Sequence, residues 1–233
     1  MLTLSTLENA LADQRAYHHG DLRNACIDCA LSLLETEGLE GLTLRAVAQR
    51  AGVSRSAPYR HFPTKRDLTA AVAAAGFRLL TREIQQAMDA QAHCPLESLL
   101  SGVDAYSRFG MAYPCLYRLM FASDLGKGPL FDETDALADE DAEFPEVAEA
   151  GTASYQVLIG NLEKAQRNGL VHPQNPREQA LCVWSTLHGL LSLYIDNRSS
   201  YADHDMTAFS QVSRRSIRMI LFGMSPARAM ADD

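Results

Sequence analysis

The chain has 233 residues, 47% of them hydrophobic and 21% charged, and its formal net charge is −8. That is enough apolar material for one sizeable core or a small domain attached to a larger one, while the lack of an apolar run of about 18 residues speaks against a membrane span. Five irregularly placed cysteines do not make a disulfide framework, and the opening "MLTLSTLENALADQRAYHHGD" lacks the cationic start and long apolar stretch of a signal peptide, so a cytoplasmic protein is expected.

Taken in chain order, nearly every segment reads as helix. From Asp21 to Gly38, Leu22, Cys26, Cys29 and Leu33 recur at three- and four-residue spacing, with Ala25 and Ala30 filling the stripe. Asp21 suits an N-cap and Gly38 a left-handed stop. A second helix should start at Thr43, turn Leu44, Val47 and Ala48 inward, and end near Gly52. The segment "GVSRSAPYRHF" then predicts a third, with Ser54 as its cap and Pro63 closing it. Thr64 to Asp67 resembles a cap for a long helix with Leu68, Val72, Ala75 and Leu79 on one face. Prolines in "HCPLESLL", "AYPCLYRLM", "GKGPLF" and "EFPEV" mark breaks between further helices. Asn175-Pro176-Arg177-Glu178 is a helix entry with an Asn cap, a first-turn Pro and a capping-box Glu, opening a helix through Ile195 that is apolar on more than one face. A last helix is expected from about Asp205 to Phe222. The pattern contains no convincing strand, so the fold class is all-α.

Charge is unevenly spread along these helices. Between Thr43 and Arg66 lie Arg45, Arg50, Arg55, Arg60, Lys65 and Arg66 and no acid, a local +6 that leaves −14 for the rest of the chain. Between Asp132 and Glu149 lie nine acids and no base, and the run around 132–143 is expected to be a mobile loop. A cationic patch on an acidic body suits a module that binds a polyanion with one surface and repels it with the others, although basic helix faces are often simply solvated.

Two short helices joined by "AGVS" have the makings of a helix-turn-helix: Gly52 for the turn, Val53 to plug the angle, Ser54 to cap. Such a unit presents its second helix to the major groove. Arg55 and Arg60 can fork onto guanine O6 and N7, Tyr59, His61 and Lys65 can reach phosphate oxygens, and the start of the next helix adds N–H groups for an anion.

"TLRAVAQRAGVSRSAPYRHFPTKRDL" is similar to the N-terminal domain of the TetR family of bacterial transcriptional regulators, over about residues 17–70, including "YHHGDLRNA" and "EGLEGLTLRAVA". Further on, "WSTLHG", Trp184 to Gly189, resembles the Trp-His-Gly signature of one class of TetR C-terminal domain. The resemblance implies a three-helix helix-turn-helix head followed by a larger helical domain for effector binding and dimerisation. The divisions are an N-terminal arm at 1–17, the head at 18–66, the body at 67–225 and a tail at 226–233. By position it places Arg45, Arg55, Ser56 and Arg60 at base edges and Thr43, Ala57, Tyr59, His61 and Lys65 along the DNA backbone. Ala57 could serve there only through its N–H. Pro58 is less usual at its position; its missing N–H and its ring crowding the Ser54 carbonyl predict a tight or displaced first turn.

Other candidates have plainer readings. Cys26-Ile27-Asp28-Cys29 has the spacing of a redox motif, but both cysteines fall mid-helix on the apolar stripe and read as small core residues. His18-His19 with Asp21 lacks further metal ligands, and only Arg15 supports a DNA-touching arm. Trp184 and His188 share a helix face: either a core Trp beside a hydrogen-bonded His, or a His that orients a polar group of a ligand. Phe109, Tyr113, Tyr117, Met120 and Phe121 can be ordinary core or, with Trp184 and His188, the lining of a pocket for an apolar or aromatic effector.

The leading expectation is therefore a ligand-responsive repressor that binds a palindromic double-stranded DNA operator and is released by a small-molecule effector. It would be a homodimer through helices near 176–196 and 205–222, with no metal or cofactor. A helical-bundle enzyme using His188 is the alternative, but no nucleophile–base–orienter set, phosphate loop or metal cluster is in the sequence. A DNA-binding protein without an effector, for example an architectural one, would more usually spread its basic charge widely.

Overall fold

The computed structural model describes residues 21–122, 125, 143–171, 173–196 and 206–223. The expected arm, His18 and His19, the break at Pro129, most of the acidic run and the tail lie outside the described residues. The elements in order are α1 (Leu22–Gly41), α2 (Leu44–Arg50), a 3₁₀ turn (Pro58–Arg60), α3 (Lys65–Asp89), α4 (Pro95–Ala112), α5 (Pro114–Met120), α6 (Pro145–Arg167), α7 (Pro176–Ile195) and α8 (Met206–Gly223). No strand occurs among the described residues, so the all-α expectation is met. Four of these helices begin on a proline, where the absent N–H would have no intrahelical partner anyway.

The chain forms two compact units, the first from 1–79 with 112–152, the second from 80–111 with 153–233. In the first, α1 packs against α2, the 3₁₀ turn and α5. Asp21 caps α1, accepting from the Asn24 amide at 3.2 Å, and Gly38 leaves helical geometry at φ 72°. The buried stripe is Cys26, Ile27, Ala30, Leu31, Leu33 and Leu34, rotated from the expected one, with Leu22 and Cys29 only half-buried. The cause is packing: α1 meets neighbours on two sides, so the wider band through Ile27, Leu31 and Leu34 is enclosed. Burial raises the Cys26 thiol to about 11, which suits a core residue and not a reactive thiolate.

Helix α5 starts after Tyr113, whose side chain offers no cap. The missing acceptor comes from α1: a Glu35 carboxylate oxygen receives the Leu116 amide at 2.7 Å. Burial raises the pKa of Glu35, opposed by the Leu116 and Cys115 amides and the nearby Arg118 charge. Glu35→Ala would leave a part-buried amide without its acceptor and is expected to cost about 1–3 kcal/mol, read as a lower denaturant midpoint; an unchanged midpoint would mean that this joint contributes nothing. Three exposed or half-buried ion pairs close the same unit. Arg23 meets both Glu146 oxygens at 2.6 and 2.8 Å, Arg78 lies 3.8 Å from Glu146, and Arg66 meets Glu143 at 2.5 and 3.1 Å.

In the second unit α7 is entered as its sequence predicts, with Asn175 accepting from the Arg177 amide at 3.0 Å. Gln166 Nε2 donates to Gln179 Oε1 at 2.8 Å and Tyr155 donates to the Arg177 carbonyl at 3.1 Å, tying α6 to α7. Ser210 bonds Asp104, and Arg214 pairs with Glu97, tying α8 to α4. Val183, Leu187, Leu191, Ile217 and Leu221 supply the core side of α7 and α8.

Candidate nucleic-acid interface

The proposed DNA-facing segment begins at Thr43, whose hydroxyl caps α2 by accepting from the Ala46 amide at 3.1 Å. Leu44, Val47 and Ala48 turn inward, as the spacing predicts. The helix then stops in a two-bond reversal: Gly52 N–H donates to Gln49 O at 3.2 Å and Val53 N–H to Ala48 O at 3.0 Å. That closure requires a left-handed residue, and Gly52 has φ 69°.

The second element differs from a regular α-helix. Pro58 has no N–H for the Ser54 carbonyl, so that carbonyl takes the Ala57 amide three residues on, at 3.0 Å. The winding stays tight, with Arg60 N–H donating to Ala57 O at 3.2 Å and His61 N–H to Pro58 O at 3.0 Å. The expected third helix with a tight or displaced first turn is instead reduced to a 3₁₀ turn over Pro58–Arg60. Two details are corrected. Ser54 does not cap with its side chain; its Oγ lies 3.4 Å from Ser56 Oγ, and its carbonyl makes the bond. The Ala57 N–H is consumed by that carbonyl, which leaves a methyl group for any DNA contact. The turn is seated by Pro58 and by Phe62, which is 1% exposed and lies under the Arg23 guanidinium, 5.6 Å from its ring centroid.

Around this frame Arg45, Arg50, Arg55, Arg60, Lys65 and Arg66 are all exposed. Arg45, Arg50, Arg55 and Arg60 have no ion pair among the described residues. Ser56, Tyr59 and His61 are exposed beside them. Lys65 is turned toward α1, donating to the Leu39 carbonyl at 2.8 Å, a contact that leaves its charge uncompensated. The start of α3 is less open to an anion than its sequence suggests. Asp67 accepts both the Thr64 amide at 2.8 Å and the Thr64 hydroxyl at 2.6 Å, and returns its own amide to Thr64 Oγ1 at 3.2 Å. The Thr64 hydroxyl holds the Asp67 carboxyl below its ordinary pKa.

The residues suggested for an effector pocket divide between the units. In the first, Tyr113, Tyr117 and Met120 are buried and Phe121 is half-buried, its ring 4.9 Å from Tyr117 and 5.3 Å edge-on from Phe77. In the second, Phe109 is buried and the Trp184 and His188 rings stack at 5.0 Å. Desolvation lowers the pKa of His188 below its ordinary value, which favours the neutral ring with one donor and one acceptor nitrogen. Among the described residues no His, Cys, Asp or Glu group could hold a metal, and no helix is long and apolar enough to cross a membrane.

Comparison with known proteins agrees with this geometry. The family model "Bacterial regulatory proteins, tetR family" matches residues 27–72, and "Tetracyclin repressor-like, C-terminal domain" matches residues 99–216, about half of the chain. The class C tetracycline repressor of Escherichia coli is 51% identical over 53 residues, which span 23% of this chain and 24% of that protein. The chain thus aligns with only about a quarter of that curated relative. A Rhodococcus sp. RHA1 protein of unknown function is 30% identical, with a TM-score of 0.65 over 85% of this chain and 96% of that one. The regulator FadR of Bacillus subtilis, solved with stearoyl-CoA, shares the fold at a TM-score of 0.62 and 14% identity, covering 85% of this chain and 97% of that one.

Proposed function

The chain belongs to the TetR family of bacterial regulatory proteins, and from that premise we propose that it is a ligand-responsive repressor, a homodimer that reads a palindromic operator and releases it when a small apolar or aromatic effector binds. The observation that carries this reading is the unbroken run of exposed cations over residues 43–66, displayed on a helix-turn-helix frame in a chain whose total charge is −8. Arg45, Arg55, Ser56 and Arg60 would meet base edges. Thr43, Tyr59, His61 and Lys65, with the Ala57 methyl, would follow the backbone. The arm at 1–17, head at 18–66, body at 67–225 and tail at 226–233 are the proposed divisions, and a protein working on DNA in this way would be cytoplasmic.

Dimerisation through α7 and α8 is supported by what they leave outside. Leu181 and Leu193 on α7 and Met219 and Phe222 on α8 are large apolar side chains 46%, 48%, 67% and 51% exposed, and a second copy would cover them. Two heads would then lie about 34–36 Å apart, one turn of DNA, and an effector would act by favouring a spacing that no longer matches successive grooves. The B. subtilis FadR complex shows a protein of this fold with an acyl-CoA bound. In this chain the suggested lining falls into two sets: Tyr113, Tyr117, Met120 and Phe121 in the first unit, and Phe109, Trp184 and His188 in the second, where Phe109 and Trp184 would supply apolar surface and His188 a polar anchor. No catalytic role is proposed.

His188 yields a pH prediction. Its pKa is lower in the folded chain than in the unfolded one, so its contribution to stability is present above about pH 6.5 and is lost as pH falls. The fall in thermal midpoint between pH 7.5 and 5 should be smaller in His188→Gln than in the unaltered chain; equal falls would remove the argument. The function itself is tested by screening apolar and aromatic compounds for thermal stabilisation, then measuring operator affinity with each stabiliser. Stabilisers that release DNA support the reading, and stabilisers that leave affinity unchanged would contradict it.

A further inference from the structure

The first unit contains a cavity of about 410 Å³ between α1, the start of α3 and α5. It is apart from the residues suggested for the effector, and its volume falls within the roughly 300–1,000 Å³ range of small-molecule sites. Its walls are of two kinds. Leu34, Leu39 and Leu119 are apolar, and Leu39 is left half exposed at 49%. Lys65, Arg66 and Arg118 are cationic and exposed.

Contacts that these cations make at the cavity are ones an anion could share or displace. The Lys65 ammonium donates to the Leu39 carbonyl, a neutral partner that positions the charge without cancelling it. Arg66 is paired with Glu143, but both side chains are more than half exposed, and such a pair contributes only about 0–1 kcal/mol. It can therefore exchange one carboxylate for another anion. The Arg118 charge is felt by Glu35 and by Cys115, which lines the cavity with it. An apolar pocket lined by three cationic side chains complements a molecule with an apolar body and an anionic head.

We propose that this cavity is a binding site for an amphipathic organic anion, its apolar part lying against Leu34, Leu39 and Leu119 and its carboxylate or phosphate held by Lys65, Arg66 and Arg118. The site is separate from the effector pocket suggested above, and the inference does not depend on that reading.

Isothermal titration of the full chain with octyl phosphate, octanoate, inorganic phosphate and 1-octanol tests it. Octyl phosphate should bind at least about tenfold more tightly than inorganic phosphate or 1-octanol, because head and chain each contribute. Octanoate against octyl phosphate tells which head the site prefers. Arg118→Gln, at an exposed position, should weaken binding about tenfold or more, and Lys65→Gln should weaken it too. His188→Gln should leave it unchanged. Peptide-resolved alkylation gives a second readout: octyl phosphate should slow modification of Cys115, which lines the cavity, and leave the exposed Cys182 unaffected. Equal binding of 1-octanol would reduce the site to an apolar crevice, and equal binding of inorganic phosphate would reduce it to a surface anion patch. Binding that survives Arg118→Gln and Lys65→Gln but is lost in His188→Gln would place the ligand in the effector pocket. Each of these results would overturn the proposal.

Discussion

Phe62→Ala is expected to destabilise the first unit by about 3–5 kcal/mol, the usual cost of emptying a buried aromatic site. Phe62 is 1% exposed, its amide donates to the Pro58 carbonyl at 2.9 Å, and the Arg23 guanidinium covers its ring. It is the plug beneath the 3₁₀ turn, so its loss would release the segment that displays Arg55 and Arg60. Chemical denaturation followed by helicity should show a lower midpoint. Hydrogen exchange should show lost protection in α1 and α2. Operator binding should fail with it. A variant with unchanged exchange across these helices would show that the turn is held by other contacts.

Arg60→Ala should behave in the opposite way, leaving stability within about 0.5 kcal/mol because the side chain is exposed and unpaired among the described residues. Its effect belongs to recognition: about 1–3 kcal/mol for each lost bidentate base contact, or roughly tenfold to more than a hundredfold in operator affinity, with relaxed preference at one base position. Arg55→Ala tests the same point at the other side of Pro58. The tight winding changes the direction of side chains relative to an α-helix, so the two variants report which arginine the turn aims at the groove. Lys65→Ala is the contrast, with a uniform loss across sequences and a salt slope lower by about one for each phosphate contact removed. If Arg60→Ala and Arg55→Ala both weaken all sequences equally, these arginines touch phosphate and not bases.

Much of this was legible because the signals are local. Asp21, Thr43, Gly52, Asn175 and Pro176 act on their own helix ends, within a few residues, and the structure uses each as the sequence suggests. The all-α class and the exposed basic run follow from periodicity and composition in the same way. What was not legible depends on partners far along the chain. Glu35 caps α5 across 81 residues, and Arg23 meets Glu146 across 123; a charge pattern cannot name such pairs before the helices pack. The one available hint was negative: no Ser, Thr, Asp or Asn stands just before Pro114, so the helix that starts there needs an acceptor from elsewhere. Similarly, the periodicity of α1 marks a face through Leu22, Cys26 and Cys29, whereas packing against α2, the 3₁₀ turn and α5 buries one rotated toward Ile27, Leu31 and Leu34. Ser54 was expected to cap by residue type, but the missing Pro58 N–H redirected its carbonyl instead.

The central claim, specific DNA reading by a basic head on an acidic protein, is tested most directly by incubating the purified chain with random genomic fragments at two salt concentrations and sequencing what it retains. The account predicts a palindromic motif that persists at the higher salt, as paired base contacts require. Retention without any motif, vanishing as salt rises, would contradict it and leave only a non-specific polyanion patch.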